Sequence, residues 1–571
     1  MNLSRSLSVS LAILGLSGSI LSQTAVQWVP VGPDLPKGIA TASPLGRKSA
    51  TDILHVSIAL PYADPVGMQK FVDSVSNPKS PNYRQFITPT QIGQKYGLPT
   101  SVVQSVASYL TSQGMTLKLV AKNHISILAD CTVAQAQAAF NVNIQTFQVP
   151  ASGTEPAVVR FANTTPPSVP ASISKYVAMV GGLESFTRPK ARTIQTPNQL
   201  RQLYSIASAY GNGYQGQART IAISNFDGYW LSNIPLLYTA FSLPTPAGGV
   251  GSNVTVVSIN GKNGNNASGS NLQGEGDVDI QCSLAMAPLA NLVIYDDAND
   301  NDLYGLLAQE EDDNKADIIS ESYGWSGPDS YFATCHSVHL SMSAQGMTYM
   351  AASGDQGAPE VQERNYPDDD PEILSVGGTS VNTDSNGNRI SEVVWNDSST
   401  SQGSGGWSTD TGATWNLLPS YQVGNGVPTN IPFRLVPDIA LDADPNTGYY
   451  VYVEGSAYQF GGTSCASPTF MGDLADAEQE IIANGGLPAN GAGKQRFGRI
   501  QDLLYSWNGD PTVFFDVISG TNGVLPNGQT STAGPGWDTA SGWGAPIMSG
   551  LVNRVLNAVQ PSSVALSPTS V

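Results

Sequence analysis

Hydrophobic and polar positions change rhythm twice along this chain. In the first 190 residues, short alternating stretches such as His55-Val56-Ser57-Ile58-Ala59-Leu60 predict strands, with others at 117–120 and 125–129. Helical spacing runs over 64–74 and 89–113, and Thr88 before Pro89 reads as a cap followed by a helix start. This mixture predicts a compact α+β unit. Between about 193 and 560 the strands become continuous apolar runs, at 220–224, 253–259, 291–295, 316–320 and 347–352. Helical stretches lie between them, notably 276–287 and one through 337–344. Strands buried on both sides and separated by helices predict a parallel sheet with helices on both faces. Active sites of such sheets lie beyond the carboxyl ends of the strands, so the polar residues there are the ones to inspect.

The flanks divide the chain further. Arg5, an apolar stretch over 7–21 and a small, polar Ser22-Gln23-Thr24-Ala25 read as a secretory signal. That gives a signal peptide at 1–24, the α+β unit at 25–190, the larger α/β unit at 191–560 and a Ser/Pro-rich tail at 561–571. Arg188-Pro189-Lys190-Ala191-Arg192 reads as an exposed linker and processing site. No later stretch supplies a membrane span, so the expected product is secreted, extracellular and monomeric, with no membrane partner. Forty-five acidic against 26 basic residues leave a formal charge of −19, which argues against nucleic acid as a partner. Four cysteines in 571 residues are no disulfide framework, though one or two bridges are compatible with the count.

Candidate chemistry centres on Gly461-Gly462-Thr463-Ser464-Cys465-Ala466-Ser467-Pro468. Small residues crowd a serine that opens a helix, beside free N–H groups and the positive end of the helix dipole. That setting suits a nucleophile whose attack creates an oxyanion, and equally a plain serine cap after a glycine turn. Ser464 needs a base, and four histidines are on offer. His55 and His124 lie in the first unit. His336 and His339 precede the strand at 347–352 on what reads as a surface helix face, and a metal-ligand reading of Cys335-His336-x-x-His339 has no fourth partner nearby. A histidine triad therefore fails. Asp227 ends a strand where a subtilisin-type triad would place its acid, but no matching histidine segment exists. Carboxylates are the alternative. Glu275 and Asp279 are spaced i,i+4 at a helix start, fitting a functional pair or a solvated acidic first turn. Asp355, after Ser353-Gly354 at a strand end, fits an oxyanion contact or a loop turn.

Glu275-x-x-x-Asp279, Ser353-Gly354-Asp355 and Gly462-Thr463-Ser464-x-Ala466-Ser467-Pro468, in this order, resemble the sedolisin (serine-carboxyl peptidase) family, which includes kumamolisin. Asn77-Pro78-x-Ser80-Pro81-x-Tyr83 with Thr88-Pro89 is similar to its activation prodomain, and Ser322-Tyr323-Gly324, Gly405-Gly406-x-Ser408 and Arg434-x-x-Pro437-Asp438 to its cleft and core segments. The resemblance implies a subtilisin-like α/β fold and an acid-acting peptidase made as an autoprocessed zymogen, with protein or peptide substrates and its own prodomain as inhibitor. It implies Ser464 as nucleophile, Glu275 as general base, Asp279 supporting it and Asp355 as oxyanion donor. It also implies one calcium ion held by Asp516, Val517, Gly534, Gly536 and Asp538, an oxygen set suited to a hard cation. Gly276 after Glu275 predicts a looser helix start, and Cys465 a small packed residue. A neutral subtilisin-type peptidase and a catalytically silent secreted binding protein on the same scaffold are the rival readings.

Overall fold

The computed structural model describes residues 26–32, 35–150, 158–186, 197–266, 274–298, 302–362, 365–398, 401–409, 414–424, 426–459 and 461–559. The expected signal peptide at 1–24, the linker at 188–192 and the tail at 561–571 lie outside the described residues.

The N-terminal unit is built from β1 (Ile53–Ala59), α1 (Pro65–Ser76), α2 (Pro89–Lys95), α3 (Thr100–Ser112), β2 (Thr116–Val120), β3 (Ser126–Thr132), α4 (Val133–Phe140) and β4 (Met179–Gly181). Its strands form an antiparallel sheet in the order β2-β3-β1-β4. The alternation in β1 is the reason. Leu54, Val56 and Ile58 enter the unit's own core with Ile127 and Val106, while Ala59 joins a different core. The helical spacing over 89–113 resolves into two helices, because Pro99 cannot continue α2 and instead precedes α3. A reciprocal cap between Thr88 and Gln91 starts α2, with the Thr88 N–H 2.8 Å from Gln91 Oε1.

The larger unit runs β5 (Thr220–Asn225), β6 (Val254–Ser258), α5 (Glu275–Met286), β7 (Asn291–Asp296), α6 (Leu303–Asp313), β8 (Ile318–Glu321), α7 (Asp329–Gln345), β9 (Thr348–Ala352), β10 (Leu374–Thr383), β11 (Arg389–Val394), β12 (Ile439–Asp442), the hairpin β13 (Tyr450–Val453) and β14 (Ser456–Gln459), and α8 (Thr463–Ala483). Eight strands form one sheet in the order β6-β7-β5-β8-β9-β10-β11, with β12 also pairing β10, and every pairing is parallel except β10 with β11. Period-two alternation sorts each strand between two cores. Ile221, Ile223, Leu292, Ile294 and Ile318 face α5 and α8, whereas Ala222, Val293, Tyr295 and Ile319 face α6 and α7. This is the expected parallel sheet with helices on both faces. One strand departs from expectation: β6 is half exposed rather than buried, because it is the edge of the sheet.

The N-terminal unit covers α6 and α7. Ala59, Met68, Val72, Ile92 and Leu128 share a hydrophobic core with Leu306, Leu307 and Phe332. Polar contacts surround that seam: Ser57 Oγ to Asp302 at 2.9 Å, Lys122 Nζ to Asp312 at 2.8 Å, Asn123 Nδ2 to Glu311 at 2.6 Å and Arg499 to Asp73 at 3.2 Å. The opposite face of the sheet carries α5 and α8, and the candidate chemistry is at their N-termini.

Candidate active site

Gly462 caps α8 with φ +147°, a backbone angle glycine adopts without strain, and Thr463 through Glu478 are then all buried. Ser464 is 3% exposed at the positive end of this 21-residue helix. Pro468 lies inside the helix and has no N–H, so it cannot make the bond that the Ser464 carbonyl would otherwise receive four residues on. Ser322, just after β8, takes that place, with its Oγ 3.1 Å from the Ser464 carbonyl oxygen.

The same Ser322 Oγ is 2.6 Å from Asp279 Oδ1. A serine hydroxyl has one proton to give, and a carbonyl oxygen can only accept. When Ser322 donates to Ser464, the short contact to Asp279 requires the carboxyl to donate, hence to be protonated. The surroundings favour that state. Asp279 is 0% exposed, and burial pushes its carboxyl well above the usual range, with Glu321 and Asp227 adding repulsion and only the Ser322 bond opposing.

Glu275 lies one turn before Asp279 on the same face of α5 and is also buried. Its backbone N–H is held at 3.2 Å by Asp227 Oδ2, whose other oxygen accepts the Gly228 N–H at 2.7 Å. Asp227 therefore fixes the first turn of the helix and is not a histidine partner. The expectation that Gly276 loosens this turn is wrong. A Cβ there would stand 2.5 Å from Asn225 Oδ1 and 3.1 Å from the Gly228 carbonyl, so Gly276 is what permits close packing against the end of β5.

Asp355 follows β9 and is tied to the other side of the serine turn. Its Oδ1 accepts the Thr463 N–H at 2.8 Å and the Thr463 hydroxyl at 2.7 Å. Its loop is held by Glu360 Oε2, which accepts the N–H groups of Asp355 and Gln356, each at 2.8 Å, and the Ser404 hydroxyl at 2.9 Å. The structure thus gathers Ser464, Asp279 and Asp355 through Ser322 and Thr463, with Glu275 above Asp279. Cys465 is buried, and its thiol is pushed up by burial, then by Cys282, Glu275 and Asp355. All four cysteines are free and buried, so neither bridge forms.

The histidines are elsewhere. His336 and His339 are 8% and 1% exposed, not a surface face, and their Nδ1 atoms meet the two oxygens of Asp370 at 2.8 and 2.9 Å. Among the described residues no three His, Cys, Asp or Glu side chains gather as a metal cluster.

In the C-terminal loop, Asp538 accepts the N–H groups of Gly534, Ala540 and Ser541, each at 2.9 Å, and Asp516 Oδ2 accepts that of Gly536 at 2.8 Å. Asp516 Oδ1 is buried without a hydrogen-bond partner, and the Val517 carbonyl meets the Ser541 hydroxyl at 3.3 Å. Two carboxyls, neighbouring carbonyls and an uncommitted buried oxygen are chemically compatible with a hard cation.

Sequence reasoning missed the parts played by Ser322, Asp227 and Glu360. A signal for Ser322 was present, since a proline five places into a helix leaves a carbonyl to be satisfied.

Comparison with known proteins gives the family of the chain. The family model described as "Pro-kumamolisin, activation domain" matches residues 41–186. The chain is 28% identical over 553 residues to sedolisin of Pseudomonas sp. (strain 101), covering 88% of this chain and 87% of that protein. It is 30% identical over 445 residues to kumamolisin of Bacillus sp. (strain MN-32), covering 70% and 73%. Among solved structures, Pseudomonas sedolisin, a serine-carboxyl proteinase complexed with two molecules of pseudo-iodotyrostatin, aligns with a TM-score of 0.52 at 27% identity, over 64% of this chain and 99% of that one. With a relative this similar over most of its length, a matching activation domain and a subtilisin-like sheet, this chain belongs to the sedolisin family of serine-carboxyl peptidases.

Proposed function

We propose that the protein is a secreted peptidase that works at acid pH through Ser464, Glu275, Asp279 and Asp355. The single observation that carries this reading is Ser464 at the head of α8, set between Asp279 through Ser322 and Asp355 through Thr463. Glu275, ionised, takes the Ser464 proton as Oγ attacks the substrate carbonyl, and returns it to the leaving amine. Asp279 holds a proton in its buried pair with Ser322 and stabilises Glu275 from one turn below. Asp355 has Oδ1 committed to Thr463, so Oδ2 carries the proton it donates to the oxyanion. A carboxyl group donates only while protonated, and a carboxylate base accepts only while ionised. The two requirements overlap only at acid pH.

The N-terminal unit is read as an inhibitor removed by cleavage in or near 188–192, and residues 1–24 as the export signal. Among the described residues no helix is long and apolar enough to cross a membrane. A calcium ion, if bound, would rest on Asp516, Asp538 and the carbonyls of Val517, Gly534 and Gly536, and would supply charge balance and loop rigidity rather than chemistry.

The test is hydrolysis of denatured casein by purified, acidified precursor. Activity confined to acid pH, with release of a fragment starting near the linker and neither event in Ser464→Ala, is expected. A binding protein on this scaffold would show no hydrolysis, and a subtilisin-type mechanism would show a neutral optimum.

A further inference from the structure

The hairpin β13–β14 leads into the serine turn, and beside the apolar packing of Val451 and Val453 it is joined to the base-carrying helix by one polar construction. Asn233, ahead of the helix at Ile234–Phe241, and Gln281 on α5 are both 1% exposed. Each divides its amide NH₂ between the same two oxygens. Asn233 Nδ2 is 2.9 Å from Asp277 Oδ1 and 2.9 Å from the Tyr452 carbonyl; Gln281 Nε2 is 3.2 Å from Asp277 Oδ1 and 2.7 Å from that carbonyl. Each amide oxygen then accepts a hairpin N–H, Gln281 Oε1 from Tyr452 at 2.9 Å and Asn233 Oδ1 from Gly455 at 3.0 Å. Asp277 Oδ1 also meets the Trp230 N–H at 3.3 Å. Both N–H donors of each buried amide and one lone pair of each amide oxygen are thus spent joining one carboxyl oxygen of α5 to β13 and the turn of one hairpin.

We propose that Asn233, Asp277 and Gln281 form a clamp that fixes the spacing between the Glu275 helix and the Ser464 turn, and so act as positioning residues for the reaction. Asp277 lies between Glu275 and Asp279 in sequence, and Tyr452 is twelve residues before Ser464, so the clamp spans the two segments that must exchange a proton. Val451 shares a hydrophobic core with α5, but apolar packing sets no angle, whereas the amides bind backbone atoms in defined directions. Burial pushes the Asp277 carboxyl up to about 7 against the bonds from Asn233, Trp230 and Gln281, with Asp227 adding repulsion. At acid pH the clamp is therefore uncharged and puts no anion beside the base.

The inference rests on Ser464 and Glu275 being the reacting pair, and the test separates the two. In protein made as the full chain and then processed in acid, Gln281→Ala should lower kcat about 10²-fold, the cost of a small misalignment of reacting groups, with KM nearly unchanged. Gln281→Glu is the sharper variant. A protonated glutamic acid reproduces both bonds to Tyr452, its carbonyl accepting the N–H and its hydroxyl donating to the carbonyl, but a carboxylate cannot donate. Gln281→Glu, buried beside Asp277 and protonated at acid pH, should therefore restore much of the kcat that Gln281→Ala loses there. Asp277 on the same helix is the acid bonded to this position, and Asp227 from the loop after β5 acts on Asp277. Wild-type activity with Gln281→Ala unaffected, a loss confined to KM, or Gln281→Glu no more active than Gln281→Ala at acid pH overturns the clamp alone. An inactive wild type overturns the underlying reading instead.

Discussion

Two sets of buried carboxyls in this molecule are built in opposite ways. In the catalytic unit, Asp279 faces a hydroxyl and other acids, and burial pushes it well above the ordinary range. In the C-terminal loop, Asp538 is cradled by backbone N–H groups from Gly534, Ala540 and Ser541 that oppose the effect of burial, leaving it at about 6. Burial and like-charged neighbours make a carboxyl that keeps its proton; N–H donors offset part of the burial and leave one that ionises below neutrality. The first kind can pass protons, and the second can hold a cation. A count of acidic residues does not distinguish them. The partners do.

The largest effect should come from the protonic set. Ser464→Ala or Glu275→Ala should reduce kcat by at least about 10⁴-fold, since members of a nucleophile–base unit fail together. Initial rates on a chromogenic peptide at acid pH check this, and Glu275→Ala retaining its rate would mean that another group takes the proton. Asp355→Ala should cost less, about 10²–10³-fold, the worth of one oxyanion donor. Asp355→Asn keeps a neutral donor at all pH values, so its alkaline limb should move upward even where its peak is lower. If that limb stays in place, ionisation of Asp355 does not set it.

Stability should follow the same logic on a smaller scale. Burial raises Glu311 to about 8 and Glu321 to about 7, the latter against bonds from Tyr349 and Trp325. Their folded values exceed the unfolded ones near ~4.3, so the folded state binds these protons more tightly. The resulting stability is complete below the unfolded value and is lost as pH rises through 7 and 8. Glu311 also accepts a bond from Asn123 of the N-terminal unit at 2.6 Å, so ionisation acts on the seam between the units. Melting of the unprocessed Ser464→Ala protein should occur at least about 5 °C lower at pH 8 than at pH 5. A flat Tm across that range would mean these acids are not held protonated.

The sheet was legible from its continuous apolar strands, while spacing only made Glu275 and Asp279 neighbours on one helix face and left their part to the family resemblance. What escaped was whatever depends on partners distant in sequence. Nothing local in His336 or His339 announces Asp370, some thirty residues on, so a buried ion-paired face read as a surface one. Nothing in Glu275-Gly276 announces Asn225, so a tightly packed glycine read as a loose one. β6 has the composition of a central strand, and only the order of pairing puts it at the edge. Hydrophobic period reports which face of an element is buried, not against what.

The smallest expected effect tests the second set of carboxyls. A cation that binds only the folded state adds stability of RT ln(1 + [L]/Kd), about 2.7 kcal/mol at a hundredfold excess over Kd. Chelator should then lower Tm of wild type by several degrees and leave Asp538→Ala, already missing half the charge of the site, little changed. The comparison between the two carboxyl sets adds a sign. Without metal Asp538 holds its proton up to about pH 6, and a ligand must be ionised, so binding displaces that proton and weakens in acid. The difference in Tm between calcium-loaded and chelated protein should therefore be larger at pH 7 than at pH 4.5. A difference equal at both values would mean that Asp538 is not a ligand. None at either, after metal removal is verified, would leave the loop as a hydrogen-bonded turn in which Asp538 serves its N–H donors alone.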